Sequence, residues 1–344
     1  MARHWDTLIV GAGPGGLACA TLLARAGRTV LVLERQQSVG PKVCAGGITW
    51  SGLIRRVPED LVERGFASQY IVTGRQRICV REPEPIVATI GRPTLGRWMA
   101  RQAEEAGAEI RTGVRVREIR NSTLTAVTDQ DEVLELTGNH LVGADGSASL
   151  VRRSLNLPVN KCGIGINYQV DGQASRMEWH LNPVFFGYGY GWIFPHRRSV
   201  SIGAYGPRGN MGAARLHRGL VDWARQQGYD LARERGRAAL INYDYRGFRF
   251  GNVWLVGDAA GLASGLTGEG IYPALVSGEA VARKILDPEY PAAEIGRLVG
   301  KQRLHNRVTS LAARSPRLSA LLMEGLVLLL RLKVLDFHTL EMAE

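Results

Sequence analysis

The chain has 344 residues, 45% of them hydrophobic and 22% charged, with 43 lysines and arginines against 32 acids for a net charge of +11. That hydrophobic content supports a large folded core and argues against disorder, and at roughly 150 residues per domain the length predicts about two domains. The basic excess is spread along the chain, without a basic helix or aromatic-interleaved patch, which argues against nucleic acid and leaves a solvated surface, an anionic membrane face or a phosphorylated substrate.

From Met1 the chain runs almost directly into an apolar run, Thr7 to Val10, which reads as a strand and leaves no room for a targeting peptide. GAGPGG follows at Gly11 to Gly16, and Leu17 to Ala26 has helical character, so the glycines stand at a strand-to-helix turn. Gly11 permits the tight turn, Gly13 lets the backbone approach a pyrophosphate, and Gly16 lets helix and strand pack closely. The phosphates then lie at a helix N-terminus, where unpaired N–H groups favour anions. A second apolar run, Thr29 to Leu33, ends in Glu34 and Arg35, and Glu34 stands eighteen residues after Gly16. A carboxylate there binds the hydroxyls of an adenosine ribose and repels a 2′-phosphate. The first cluster therefore specifies FAD or NAD and disfavours NADP.

A helix is expected from Pro93 to Gly107, then strand-like pieces through Leu136, then a strand that ends in Gly143-Ala-Asp145-Gly146. Residues from about 156 to 246 read differently: Gly163 to Val170 and Ser199 to Tyr205 are strand-like segments broken by Gly and Pro, the pattern of a mainly antiparallel sheet. A helix from Gly212 to Gln227 is expected after them. A third strand ends in Gly257-Asp258-Ala-Ala-Gly261, and a long helix is expected over Gly268 to Leu286, its start at Thr267-Gly268-Glu269-Gly270 facing the pyrimidine end of a flavin. Three glycine-and-acid clusters in this order, each where a ligand would lie outside the carboxyl ends of parallel strands, specify FAD, with Asp258 reaching ribityl hydroxyls.

The expected fold class is α/β. A discontinuous Rossmann-type FAD-binding domain takes 1–60, 92–155 and 247–290; an antiparallel substrate domain takes 61–91 and 156–246; and 291–344 form a C-terminal helical segment. Within the substrate domain, Tyr190, Trp192 and Phe194 alternate, so their side chains project from one face of a strand that Pro195 stops. They form either an aromatic core strand or the wall of an apolar substrate tunnel.

Cys19, Cys44, Cys79 and Cys162 have no metal-like spacing, so no metal is expected, and with no secretory signal the compartment is expected to be reducing. No stretch of about 18 uninterrupted apolar residues predicts a membrane span. Ser319 to Val334 is apolar on nearly all sides, interrupted by Glu324, Arg331 and Lys333. Burial against the body or another subunit is its first expected placement, and lying in a membrane interface is the second.

Over roughly residues 5 to 285, the order, spacing and flanks of the three clusters resemble the FAD-dependent oxidoreductases of the p-hydroxybenzoate hydroxylase-like class. Tyr190, Trp192, Phe194 and Pro195 narrow the resemblance to the geranylgeranyl reductase family, whose Y-x-W-x-F-P signature they match. The loop Pro41-Lys-Val-Cys44-Ala-Gly46 is similar to a second element of that family, with Lys42 and Ala45 where Tyr and Gly are common. The resemblance implies reduction of carbon–carbon double bonds in the polyprenyl group of a lipid or other isoprenoid substrate. The hydride comes from FAD that NAD(P)H or another electron donor has reduced, and a proton must accompany it because an isolated alkene has no group to accept hydride. It also implies Cys44 as a catalytic residue at the flavin face beside Ala45, Arg92 and Arg97 as FAD-contacting arginines, and Gly257, Asp145, Gly268 and Gly270 in the cofactor site. Two other readings stay open: an FAD-dependent monooxygenase of an apolar or aromatic substrate, and a non-catalytic carrier that shelters prenyl groups. The expected location is cytoplasmic, peripheral on the inner face of a membrane.

Overall fold

The computed structural model describes residues 4–49, 53–120, 123–209 and 211–343. The first strand, His4–Val10, lies between two parallel neighbours, Val133–Gly143 and Val30–Leu33. Strands covered on both faces read as continuous apolar runs, and all four residues of Val30–Leu33 are buried. Glu109–Arg111 and Val253–Leu255 extend the parallel sheet on either side, and Arg249–Phe250 adds an antiparallel edge. Arg115–Arg120 and Thr123–Val127 branch from Val133–Gly143 as antiparallel strands, completing an eight-stranded sheet. Two helices cover it where the first glycine cluster emerges. Pro14–Arg25 starts with proline in its first turn, where the missing N–H costs nothing. It packs against Ile271–Leu286 so closely that a Cβ on Gly278 would stand 2.1 Å from the Gly15 carbonyl oxygen.

A seven-stranded sheet forms the second layer, in the order Arg237–Asn242, Cys162–Asp171, Ser199–Pro207, Tyr190–Pro195, Glu178–His180, Ser68–Val72 and Arg77–Arg81. Its pairings are antiparallel except that Glu178–His180 runs parallel to Ser68–Val72. Ala213–Gln226 buries Leu216, Leu220 and Trp223 in the core it shares with this sheet. A small third sheet joins Gly47–Thr49, Val87–Ile90 and Val62–Phe66, so residues 61–91 contribute to two sheets.

Two expectations need correction. The helix after the third cluster begins at Ile271, three residues later than expected, because Gly268 has φ +68, a left-handed turn that no α-helix contains. The apolar C-terminal stretch forms the helix Pro316–Arg331, which buries Ser319, Val327 and Leu330 but leaves Leu321, Leu328 and Leu329 exposed. Burial thus holds for one side only. Among the described residues no helix is long and apolar enough to cross a membrane.

Candidate active site

One continuous cavity of about 1510 Å³ runs from the glycine turn to the C-terminal helices. Ordinary small-molecule pockets measure roughly 300–1,000 Å³, so this one has room for more than a single small ligand.

At the Rossmann end Gly11, Gly13, Glu34 and Arg35 line the wall. Gly11 has φ +102, and a Cβ there would stand 2.5 Å from the Ala144 carbonyl oxygen; only glycine makes this turn. Gly16 lies behind it, outside the cavity lining, tight against the Gly11 carbonyl. Glu34 is held in place: Oε2 accepts Ala12 N and Oε1 accepts Gln36 N, both at 2.9 Å. The start of helix Pro14–Arg25 has no side-chain cap, which leaves its N–H groups for an anion.

Arg92 is buried, lines the cavity and has Nε and Nη1 without a hydrogen-bond partner among the described residues. A buried guanidinium left in that state costs desolvation free energy until an anion meets it. Arg97, by contrast, is exposed, 3.5 Å from Thr94 Oγ1 and outside the cavity, so the expected arginine of this helix is Arg92 alone. The unpartnered Nε and Nη1 of Arg92 and the uncapped helix start, on one cavity wall, fit a dinucleotide diphosphate.

Asp145, Gly257 and Asp258 form the middle of the wall. Asp145 Oδ2 accepts Leu150 N at 2.5 Å and Val151 N at 3.3 Å, while Oδ1 is buried without a partner. Burial raises its carboxyl above the ordinary range. Asp258 Oδ2 meets Lys42 Nζ at 3.0 Å and Ser147 Oγ at 3.1 Å.

Cys44 and Ala45, in the loop that carries Lys42, also line the cavity, with Gly46 N donating to Cys44 Sγ at 3.3 Å. Their loop is clamped from the second sheet. His196 Nε2 donates to Ala45 O at 3.0 Å, and Glu63 Oε2 sits 3.2 Å from His196 Nδ1. Gly268 and Gly270 line the cavity with Glu269 between them. Burial is the main cause pushing the Glu269 carboxyl up to about 7, reinforced by Glu341 and opposed by the Met342 N–H and Lys301.

Beyond this point the wall becomes aromatic. Tyr190, Trp192 and Phe194 all face the cavity from one strand. Gly203 stands opposite Trp192, and a Cβ there would come within 2.2 Å of the indole, so only glycine leaves room for the ring. Trp192 Nε1 donates to Ser201 Oγ at 3.0 Å. Trp179 from the neighbouring strand packs on Phe194 at 4.7 Å and Tyr190 at 5.4 Å between ring centroids, and reaches Phe337 at 6.3 Å. The Tyr190 hydroxyl donates to Thr267 O at 2.5 Å, and burial raises its pKa. Pro195 does not join the wall: it is buried, ends the strand, and its carbonyl accepts Thr89 Oγ1.

Residues 4–171 match the FAD binding domain family. A digeranylgeranylglycerophospholipid reductase of Methanopyrus kandleri is 30% identical over 86% of this chain and 81% of its own. The chain belongs to the geranylgeranyl reductase family of FAD-dependent oxidoreductases. A geranylgeranyl diphosphate reductase of Rhodobacter capsulatus is 28% identical over 81% of this chain and 74% of its own. Among solved structures, a geranylgeranyl bacteriochlorophyll reductase-like protein from Thermoplasma acidophilum superposes with a TM-score of 0.74 at 18% identity, covering 97% of this chain and 100% of that one.

Three residues of this reductase-family cavity escape sequence reasoning. Trp179 comes from a three-residue strand with no alternation to reveal it. Lys42 meets Asp258 across 216 positions. Glu269 is visible in the TGEG segment, but its perturbation depends on Glu341 and Met342, which only the fold brings near.

Proposed function

We propose that this chain reduces carbon–carbon double bonds in the polyprenyl group of a lipid or other isoprenoid. The observation that carries the reading is continuity: a dinucleotide cradle and an aromatic wall share one cavity, with a single-file alternation of rings at its apolar end. The relatives named for geranylgeranyl and digeranylgeranylglycerophospholipid reductases support it.

In this reading the helix start at Gly13 and the Arg92 guanidinium hold the FAD diphosphate, Glu34 binds the ribose, and Asp258 binds the ribityl hydroxyls. Gly268 and Gly270 present backbone to the pyrimidine end, with Cys44 and Ala45 at the ring face. Bound FAD, once reduced by NAD(P)H or another donor, supplies hydride. The chain's own residues orient an alkene, exclude water and supply a proton. Tyr190, Trp192 and Phe194 align the chain by shape, since an isoprenoid offers nothing to hydrogen-bond. Glu269, in the cavity lining, is the acid: Oε2 accepts Met342 N at 2.9 Å, and a carboxyl raised to about 7 keeps a protonated fraction near neutrality.

The test is the mass of the product formed when reduced protein meets a geranylgeranyl substrate in air. A gain of one hydrogen pair per double bond is expected. A product heavier by an oxygen atom would make the protein a monooxygenase, and a failure to reduce bound FAD whatever the substrate would favour the carrier.

A further inference from the structure

Eight of the twelve large apolar side chains that stand exposed among the described residues fall between positions 304 and 334. Leu304, Val308 and Leu311 share one side of helix Ala293–Ala312. Leu321 and Leu328 on Pro316–Arg331, with Leu332 just beyond it, repeat at helical spacing on a side of their own. Leu321 is 68% exposed and Leu332 61%. Scattered surface leucines are ordinary, but a contiguous group of this kind marks an interaction site.

Charge selects the partner. Arg303, Arg307, Arg314, Arg317, Arg331 and Lys333 are all exposed along the same stretch. Glu324 is the sole acid from 303 to 334, and it is turned away: Oε2 accepts Thr73 Oγ1 and Gln76 Nε2, each at 2.8 Å, and Oε1 accepts Arg75 N at 3.2 Å. Asp336, just beyond, accepts His338 N and so caps the turn Phe337–Leu340. A second copy of the chain is a poor occupant, because a two-fold contact would set these cations against themselves. A surface that is apolar and anionic together suits both features.

The face is also continuous with the cavity. Leu304, Val308, Leu321 and Leu329 of this exposed group also line the space that Tyr190 and Phe194 line. We infer that this face lies against an anionic lipid bilayer, with its leucines in the acyl boundary, its cations among the headgroup phosphates and the cavity mouth opening into the lipid. Only the last clause, a mouth for an apolar substrate, rests on the reductase reading.

The test uses the full FAD-loaded chain sedimented with vesicles of phosphatidylcholine, alone or mixed with phosphatidylglycerol, and no prenyl substrate. Binding to the phosphatidylglycerol vesicles is expected, weakening as salt rises. Leu311→Gln/Leu328→Gln/Leu332→Gln, at positions outside the cavity lining, should lower that affinity by at least about tenfold while the flavin spectrum and melting temperature hold. Arg314→Gln/Arg317→Gln/Arg331→Gln should lower it by about a hundredfold and erase the preference over phosphatidylcholine. The inference is overturned if the native protein ignores both vesicles, if the leucine variant binds as before, or if the native protein is a dimer that the leucine variant dissociates without any vesicle binding. Product analysis in detergent reads the reductase activity separately, so either claim can fail alone.

Discussion

Glu269 holds its proton to a higher pH than it would in an unfolded chain. Its carboxyl is raised from 4.5 to about 7, so between those values the folded state binds more protons than the unfolded one and stability falls as pH rises. The stabilisation of the protonated form is complete below 4.5 and is lost through about 7. Glu269→Gln, which keeps an acceptor for Met342 N and cannot ionise, should flatten the melting-temperature slope in that window. In the reductase reading it should also slow alkene reduction by about a hundredfold or more. A slope unchanged by the substitution would remove the perturbed carboxyl from the account. Asp258 makes a second test at this scale. Replacing it with Ala removes a charged acceptor, and FAD affinity, read by fluorescence titration of the apoprotein, should drop roughly ten- to a hundredfold. Unchanged affinity in a folded variant would count against the ribityl assignment. Residues fixed by local backbone geometry, such as Gly11 and Glu34, were readable from the chain because a turn and a strand end place them wherever the rest folds. Arg92 and Arg97 were not separable that way. Five positions on a helix differ by about 140° in direction, and only packing decides which side looks inward.

The strand Tyr190–Pro195 shows how far alternation reaches. It placed three rings on one face, as observed, yet left open whether that face was core or wall. Both hold. Trp192 is 4% exposed and still touches the cavity. Trp192→Ala should therefore cost about 3–5 kcal/mol of stability and, in the reductase reading, also lower the efficiency of alkene reduction by removing a ring that would align the substrate. Melting temperature and single-turnover rate measured on one preparation separate the two effects; a large melting drop with an unchanged rate would confine Trp192 to the core. Helix ends were harder to read. Composition runs smoothly from Gly268 into the helix, and only the left-handed φ of Gly268 delays its start to Ile271. For Pro316–Arg331, leucines on all sides gave no direction, because one face packs on Ile71 and Ile78 while Leu321 and Leu328 stay exposed among the described residues.

Across the whole molecule the decisive property is that the two sheets meet around one cavity. His196 at the end of an antiparallel strand clamps the Cys44 loop of the nucleotide-binding side, and Tyr190 bonds Thr267 at the start of the segment leading to helix Ile271–Leu286. These contacts join residues more than seventy positions apart, which is why the separate clusters could be recognised in the sequence and their convergence could not. In the reductase reading, electrons stored on FAD pass to an isoprenoid double bond without oxygen. Protein reduced under strict anaerobiosis and mixed with a geranylgeranyl lipid tests it directly. Flavin absorbance should return in a single turnover, matched by one saturated bond for each FAD reoxidised. Flavin that stays reduced until oxygen is admitted would contradict it.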